Sequence, residues 1–173
     1  MRASPALPSE LQHSRHSAAA ARDSASVGLT ARARAALRVR GCRAVAAAGD
    51  MPICVGTSHP GTFATRGLSQ MAEECGAAAV MVTPSKEGVP LTDDRMVEYF
   101  KTVADGISIN VVLQDHPAST QVNMSVPLLA RLVNEIPTIS CVKLESLPTP
   151  QRIDMLKKQM REDCTILTGL GAL

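Results

Sequence analysis

Residues 109–145 read INVVLQDHPASTQVNMSVPLLARLVNEIPTISCVKLE. This stretch decides the fold. It opens on an apolar, β-branched run, Ile109–Leu113, which stops at Gln114-Asp115-His116-Pro117. A helical pattern follows at about Val126–Glu135, opened by Ser125 with Pro127 in its first turn. Both residue types favour helix starts, Ser because its hydroxyl caps free N–H groups and Pro because its φ is already helical. A second apolar run, Ile139–Leu144, closes the stretch. Two strands joined by a helix, with no tight hairpin turn between them, form a βαβ crossover and lie parallel.

The same unit repeats outward in both directions. Strand-like runs occur at Ile53–Gly56, Ala78–Thr83, Ile109–Leu113, Ile139–Leu144 and Thr165–Leu167, with starts 25, 31, 30 and 26 residues apart. The intervening helices are expected at Ala64–Cys75, with Thr62 as cap and Gly76 as stop; at about Asp93 to Asp105; at about Val126–Glu135; and at Pro150–Met160, with Thr149 as cap. Runs that are apolar throughout fit strands covered on both faces. An open doubly wound sheet and a (β/α)8 barrel both satisfy this pattern. No GxGxxG or GxxxxGK[ST] follows any strand, so nucleotide-binding folds lose weight. Five strands cannot close an eight-strand barrel, so a barrel reading is a partial one.

Residues 1–28 are rich in Ala, Ser and Arg and show no sustained apolar face. Such a segment cannot bury enough surface to offset chain entropy and is expected to be a disordered leader. An organellar transit peptide and a basic arm for an anionic partner are competing readings. From Leu29 a further helix, capped by Thr30, is expected to reach about Ala48, and residues 29–173 form the folded domain.

Composition excludes several functions. Residues 1–50 hold eight Arg and three acids, and residues 51–173 hold ten basic and thirteen acidic residues, so the net +2 conceals halves of +5 and −3. Beyond the N-terminal third nothing offers a footprint for nucleic acid. One Tyr, two Phe and no Trp leave little surface on which bases could stack. No run of 18 apolar residues is present, so no membrane helix is expected. The five Cys include no CxxC and the four His no HExxH, so no metal site is expected. Cys54, Cys141 and Cys164 read as small buried apolar side chains in a reducing compartment. A cytoplasmic location is expected, or an organellar one if the leader is a transit peptide.

In either architecture chemistry belongs where the strands end. Those ends carry Thr57-Ser58-His59, Thr83-Pro84-Ser85-Lys86, Gln114-Asp115-His116, Lys143-Leu144-Glu145 and Thr168-Gly169. Lys143 stands out. Alternation places Ile139, Cys141 and Lys143 on one face. Apolar neighbours would partly desolvate the amine and favour its neutral, nucleophilic form for Schiff-base chemistry. A solvent-facing Lys143, or one paired with Glu145, is the plainer alternative. Lys86 reads as a solvated loop residue.

From about Leu29 to Leu173 the chain resembles the dihydrodipicolinate synthase / N-acetylneuraminate lyase family. Pro52-Ile-Cys-Val-Gly-Thr57 resembles that family's third strand, Val80-Met-Val-Thr-Pro84 the fourth, and Val111-Val-Leu-Gln-Asp-His-Pro117 the fifth. Cys141-Val-Lys-Leu-Glu145 resembles the sixth and Leu167-Thr-Gly-Leu-Gly171 the seventh. The resemblance implies a partial TIM barrel, strands three to seven, and a lysine-dependent lyase or aldolase in which Lys143 condenses with pyruvate or another 2-oxo acid. An aldehyde partner, no cofactor and possible homo-oligomers are implied too. The family's proton-relay tyrosine is Gln114 here, which leaves His116 or Asp115 to move protons. Asp115 could instead simply stabilise the turn before Pro117. The family's Gly-Thr-Thr-Gly-Glu-like turn has no counterpart. Thr57, Ser58, Gln114, Glu145 and Gly169 are the candidates to bind substrate. The alternative is a truncated, catalytically inactive relative.

Overall fold

The computed structural model describes residues 31–84 and 92–169, with side chains from residue 35 onward. Helix α1 (Ala31–Ala47) is followed by β1 (Cys54–Gly56), α2 (Thr62–Glu74), β2 (Ala79–Val82), α3 (Asp93–Ala104) and β3 (Asn110–Asp115). A one-turn helix α4 (Pro117–Thr120) then leads to α5 (Val126–Glu135), β4 (Ile139–Leu144), α6 (Thr149–Lys157) and β5 (Thr165–Thr168). The leader 1–28, its Thr30 cap and the Ser85-Lys86 loop lie outside the described residues.

All four strand pairings are parallel, and the order is β1-β2-β3-β4-β5. This order chooses between the two architectures. A doubly wound sheet reverses its strand order at a switch point, whereas a barrel adds each strand to the same side. Five sequential strands without reversal are an arc of a (β/α)8 barrel.

The core lies between the outer face of the sheet and the helices. Val80, Val82, Leu113, Val142 and Leu144 are fully buried against Phe100, Val103, Leu129 and Leu132 from α3 and α5. On the inner face Cys54, Gly56 and Leu167 are exposed, and Met81, Val112, Gln114, Cys141 and Lys143 are half-buried. Each buried Val or Leu contributes roughly 1.5–3 kcal/mol, so stability is concentrated on the helix side.

Local signals explain the helix ends, with three corrections. Ser125 Oγ accepts from Leu128 N at 3.2 Å and Thr92 Oγ1 from Arg95 N at 3.4 Å, as capping requires. Gly76, at φ +86°, stops α2 in a conformation that suits glycine. However, α2 is capped by Gly61, and Thr62 is its first helical residue. Thr149 is likewise inside α6, which Pro148 precedes, and its hydroxyl donates to the Ser146 carbonyl at 3.0 Å. The third correction is α4, a one-turn helix where no element is expected between the strand end at Leu113 and the helix at Val126. His116 begins it, and its carbonyl accepts from Ser119 and Thr120 N–H at 3.1 and 3.0 Å.

The cysteines fall into two groups. Cys42 and Cys75 form a disulfide between α1 and the end of α2. The expectation of reduced, buried thiols concerns Cys54, Cys141 and Cys164 and does not cover this pair. Cys164 is buried as expected and Cys141 partly so, but Cys54 is exposed, because nothing among the described residues covers its part of the inner face.

Candidate active site

Strand β4 carries Lys143, and the strand is not regular. Val111 pairs with Ile139 and Val112 with Cys141, so Ser140 is an extra residue. A bulge shifts the side-chain alternation by one. Ile139 therefore falls in the buried layer with Val142 and Leu144, while Cys141 and Lys143 face inward. The expectation that Ile139 shares a face with Lys143 fails at this bulge. Lys143 Nζ lies 3.2 Å from Glu145 Oε1.

Glu145 is the centre of the cluster. It is buried, with 6% of its surface exposed. Its other oxygen, Oε2, accepts from Gln114 Nε2 at 2.6 Å and lies 3.8 Å from His116 Nδ1. Gln114 and Lys143 are register partners on β3 and β4, which is why their head groups converge on one carboxylate. Burial pushes the Glu145 carboxyl up, but the bonds from Gln114 and Lys143 and the charges of Lys143 and His116 outweigh it and hold the group below the ordinary range. Gly169 closes the other side. Its N–H donates to the Leu144 carbonyl at 3.2 Å, and a Cβ there would overlap the Glu145 side chain. Only glycine leaves room for the carboxylate. Lys143, Glu145, Gln114, His116 and Gly169 thus come together at the strand ends.

Asp115 does not join them. It follows Leu113 in alternation and points into the helix layer, fully buried. Ser146 Oγ donates to its Oδ2 at 2.5 Å and Arg152 Nη2 lies 3.2 Å from the same oxygen. Burial raises its pKa more than these partners lower it. Arg152 also donates to the Met124 carbonyl at 2.7 Å, so the pair ties α6 to the end of β3 and to the segment just before α5. Thr57 is also turned away. Its hydroxyl shares a 2.8 Å hydrogen bond with Ser69 Oγ beneath α2. Ser58 is exposed, and its Oγ accepts from Thr83 N at 2.9 Å.

Sequence reasoning missed Arg152, Ser146 and Ser69. Each lies on a helix or loop whose contact with the strand end only the packing creates. No group of His, Cys, Asp and Glu among the described residues is arranged to hold a metal ion. No helix among them is long and apolar enough to cross a membrane.

Known proteins resemble this chain in both sequence and shape. A model of the Dihydrodipicolinate synthetase family matches residues 38–173. An L-2-keto-3-deoxyarabonate dehydratase of Azospirillum brasilense is 34% identical over 66% of this chain and 36% of its own length. A 4-hydroxy-tetrahydrodipicolinate synthase of Aquifex aeolicus is 32% identical over 73% of this chain and 42% of its own. A solved structure of a putative dihydrodipicolinate synthetase from Pseudomonas aeruginosa superposes with a TM-score of 0.71 at 26% identity, over 82% of this chain and 47% of that one. YagE, a member of the dihydrodipicolinic acid synthase family from E. coli K12 solved in complex with pyruvate, superposes at 0.69 and 25% identity. The chain spans about 36–42% of the length of these curated relatives and about half that of the solved structures. Sequential parallel strands, a lysine at the end of β4 and these matches agree: the chain belongs to the dihydrodipicolinate synthetase family.

Proposed function

We propose that this chain carries the reactive amine of a Schiff-base lyase acting on pyruvate or another 2-oxo acid. The observation that supports this most is Lys143 Nζ at the C-terminal end of the inner face, 3.2 Å from a buried carboxylate. An amine beside a proton acceptor can be released as a nucleophile. It attacks the ketone carbon of the 2-oxo acid, water leaves, and a protonated imine remains. That imine draws electrons from the neighbouring carbon, so a proton or an aldehyde can depart and leave an enamine. The reverse direction is aldol addition to an aldehyde. The pyruvate complex of YagE and the 2-keto acid named for the Azospirillum relative support this substrate class.

Ser58 stands at a strand end where an acid would lie, and we assign it to substrate binding; Gln114 Nε2 is committed to Glu145 and the Gly169 N–H to the Leu144 carbonyl, so their part is to shape the site. The Thr57 hydroxyl is committed to Ser69, so its part is to hold the strand end in place.

Borohydride trapping with pyruvate, read by peptide mapping, tests the reading. The expected result is a reduced adduct on Lys143 that is absent in Lys143→Ala. A folded chain that forms no adduct with pyruvate or with a 3-deoxy 2-oxo sugar acid would sink it and favour an inactive relative.

A further inference from the structure

Gln114 is an amide, and an amide cannot exchange a proton at neutral pH. The groups around Lys143 supply another route. Resting on the Schiff-base reading above, we propose that Glu145 is the proton-transfer residue of this site, with Gln114 as its positioning residue and His116 as its link to solvent.

Three independent features carry this. Glu145 Oε1 lies 3.2 Å from the reacting nitrogen, which is hydrogen-bond reach for a general acid–base. Its Oε2 is fixed by Gln114 at 2.6 Å, so the carboxylate keeps one orientation. Gly169 leaves the space that the carboxylate fills. His116 Nδ1 sits 3.8 Å from Oε2, beyond direct hydrogen-bond reach, with 29% of its side chain exposed, so the ring lies between the carboxylate and solvent. The charged and titratable groups facing Glu145 are Lys143, His116 and, through charge alone, Asp115.

The steps balance. The resting pair is an ammonium and a carboxylate, and one proton passes from Lys143 to Glu145. The freed nitrogen lone pair forms the N–C bond to the ketone carbon while the C=O π electrons move to oxygen. Glu145 protonates that oxygen and then removes one proton from nitrogen. It returns this proton to the hydroxyl as the C–O bond breaks, so water leaves, C=N forms and Glu145 is again a carboxylate. In that form it takes the C3 proton, and the C–H electrons become the enamine double bond.

The test follows C3 hydrogen–deuterium exchange of pyruvate in D2O by NMR, with borohydride trapping in parallel. Glu145→Gln keeps the size and removes the acid–base function. It is expected to slow exchange about 100-fold or more, while a Lys143 adduct still accumulates on long incubation. Gly169→Ala, which displaces the carboxyl, is expected to slow exchange too. The fall of the exchange rate on acidification is expected to be steeper in the unsubstituted chain than in Glu145→Gln, because only the former loses a carboxylate base. Unchanged exchange in folded Glu145→Gln would overturn the proposal alone. So would an exchange rate in folded Gly169→Ala equal to that of the unsubstituted chain, since that variant displaces the carboxyl without touching Glu145 itself. No adduct in the unsubstituted chain would overturn the Schiff-base reading itself.

Discussion

Lys143 and Glu145 are two positions apart at the end of one strand, so alternation alone puts them on the same side. That much is visible in Cys141-Val-Lys-Leu-Glu145. The partners that convert this spacing into a site are not. Gln114 arrives from the neighbouring strand through the β3–β4 register, and Gly169 from the end of β5. The opposite case is Asp115. It is the second candidate for moving protons beside His116, but its place in the alternation sends it into the helix layer, where Arg152 holds it. Removing one partner of a buried ion pair strands the other charge away from water. Arg152→Ala is therefore expected to destabilise the chain by about 3 kcal/mol, measured by urea denaturation. Asp115→Asn added to it should recover part of the loss. A change below about 0.5 kcal/mol would show that the pair carries no such weight.

At the scale of elements, helices join to strands through a few polar contacts. Glu73, near the end of α2, accepts from Ser108 N at 2.8 Å and from Ser108 Oγ at 2.5 Å, just before β3. The Ser108 side-chain and backbone bonds hold its carboxyl below the ordinary value of 4.5. A carboxylate whose folded pKa is depressed contributes stability that is complete above its unfolded pKa and is lost as pH falls through the folded one. The stability advantage of the natural chain over Glu73→Gln is thus expected to be constant above about pH 5.5 and to shrink as pH falls below 4.5. Denaturation midpoints of both chains across that window check the sign; an advantage that grows on acidification would contradict it. The elements themselves were mostly legible, because apolar runs and caps such as Ser125 and Thr92 are local signals. Helix α4 was hidden, since four residues after a strand look like any turn.

For the whole molecule, the disulfide Cys42–Cys75 joins α1 to the sheet-bound part across 33 residues. Among the described residues, α1 has few other ties: Arg38 meets Glu74 at 3.4 Å in an exposed pair, and Leu37 and Val39 face solvent. Closing a loop of that length restricts the unfolded chain by about 3–4 kcal/mol in the chain-entropy model. Cys42→Ser, or reduction with dithiothreitol, is expected to lower stability by up to that amount and to expose the α1–α2 connection to limited proteolysis. Identical digestion with and without reductant would show that packing, not the bond, holds α1.

The sequence by itself determined the repeated strand–helix unit, the parallel sheet and Lys143 at a strand end, because periodicity, capping and strand limits are written in neighbouring residues. The tertiary structure decided the rest. Strand order selected barrel over doubly wound sheet, a bulge at Ser140 turned Ile139 from Lys143, and packing sent Thr57 and Asp115 outward while drawing Gln114, His116 and Gly169 onto Glu145. Those outcomes depend on contacts between residues about 12 to 37 positions apart, which no local pattern encodes.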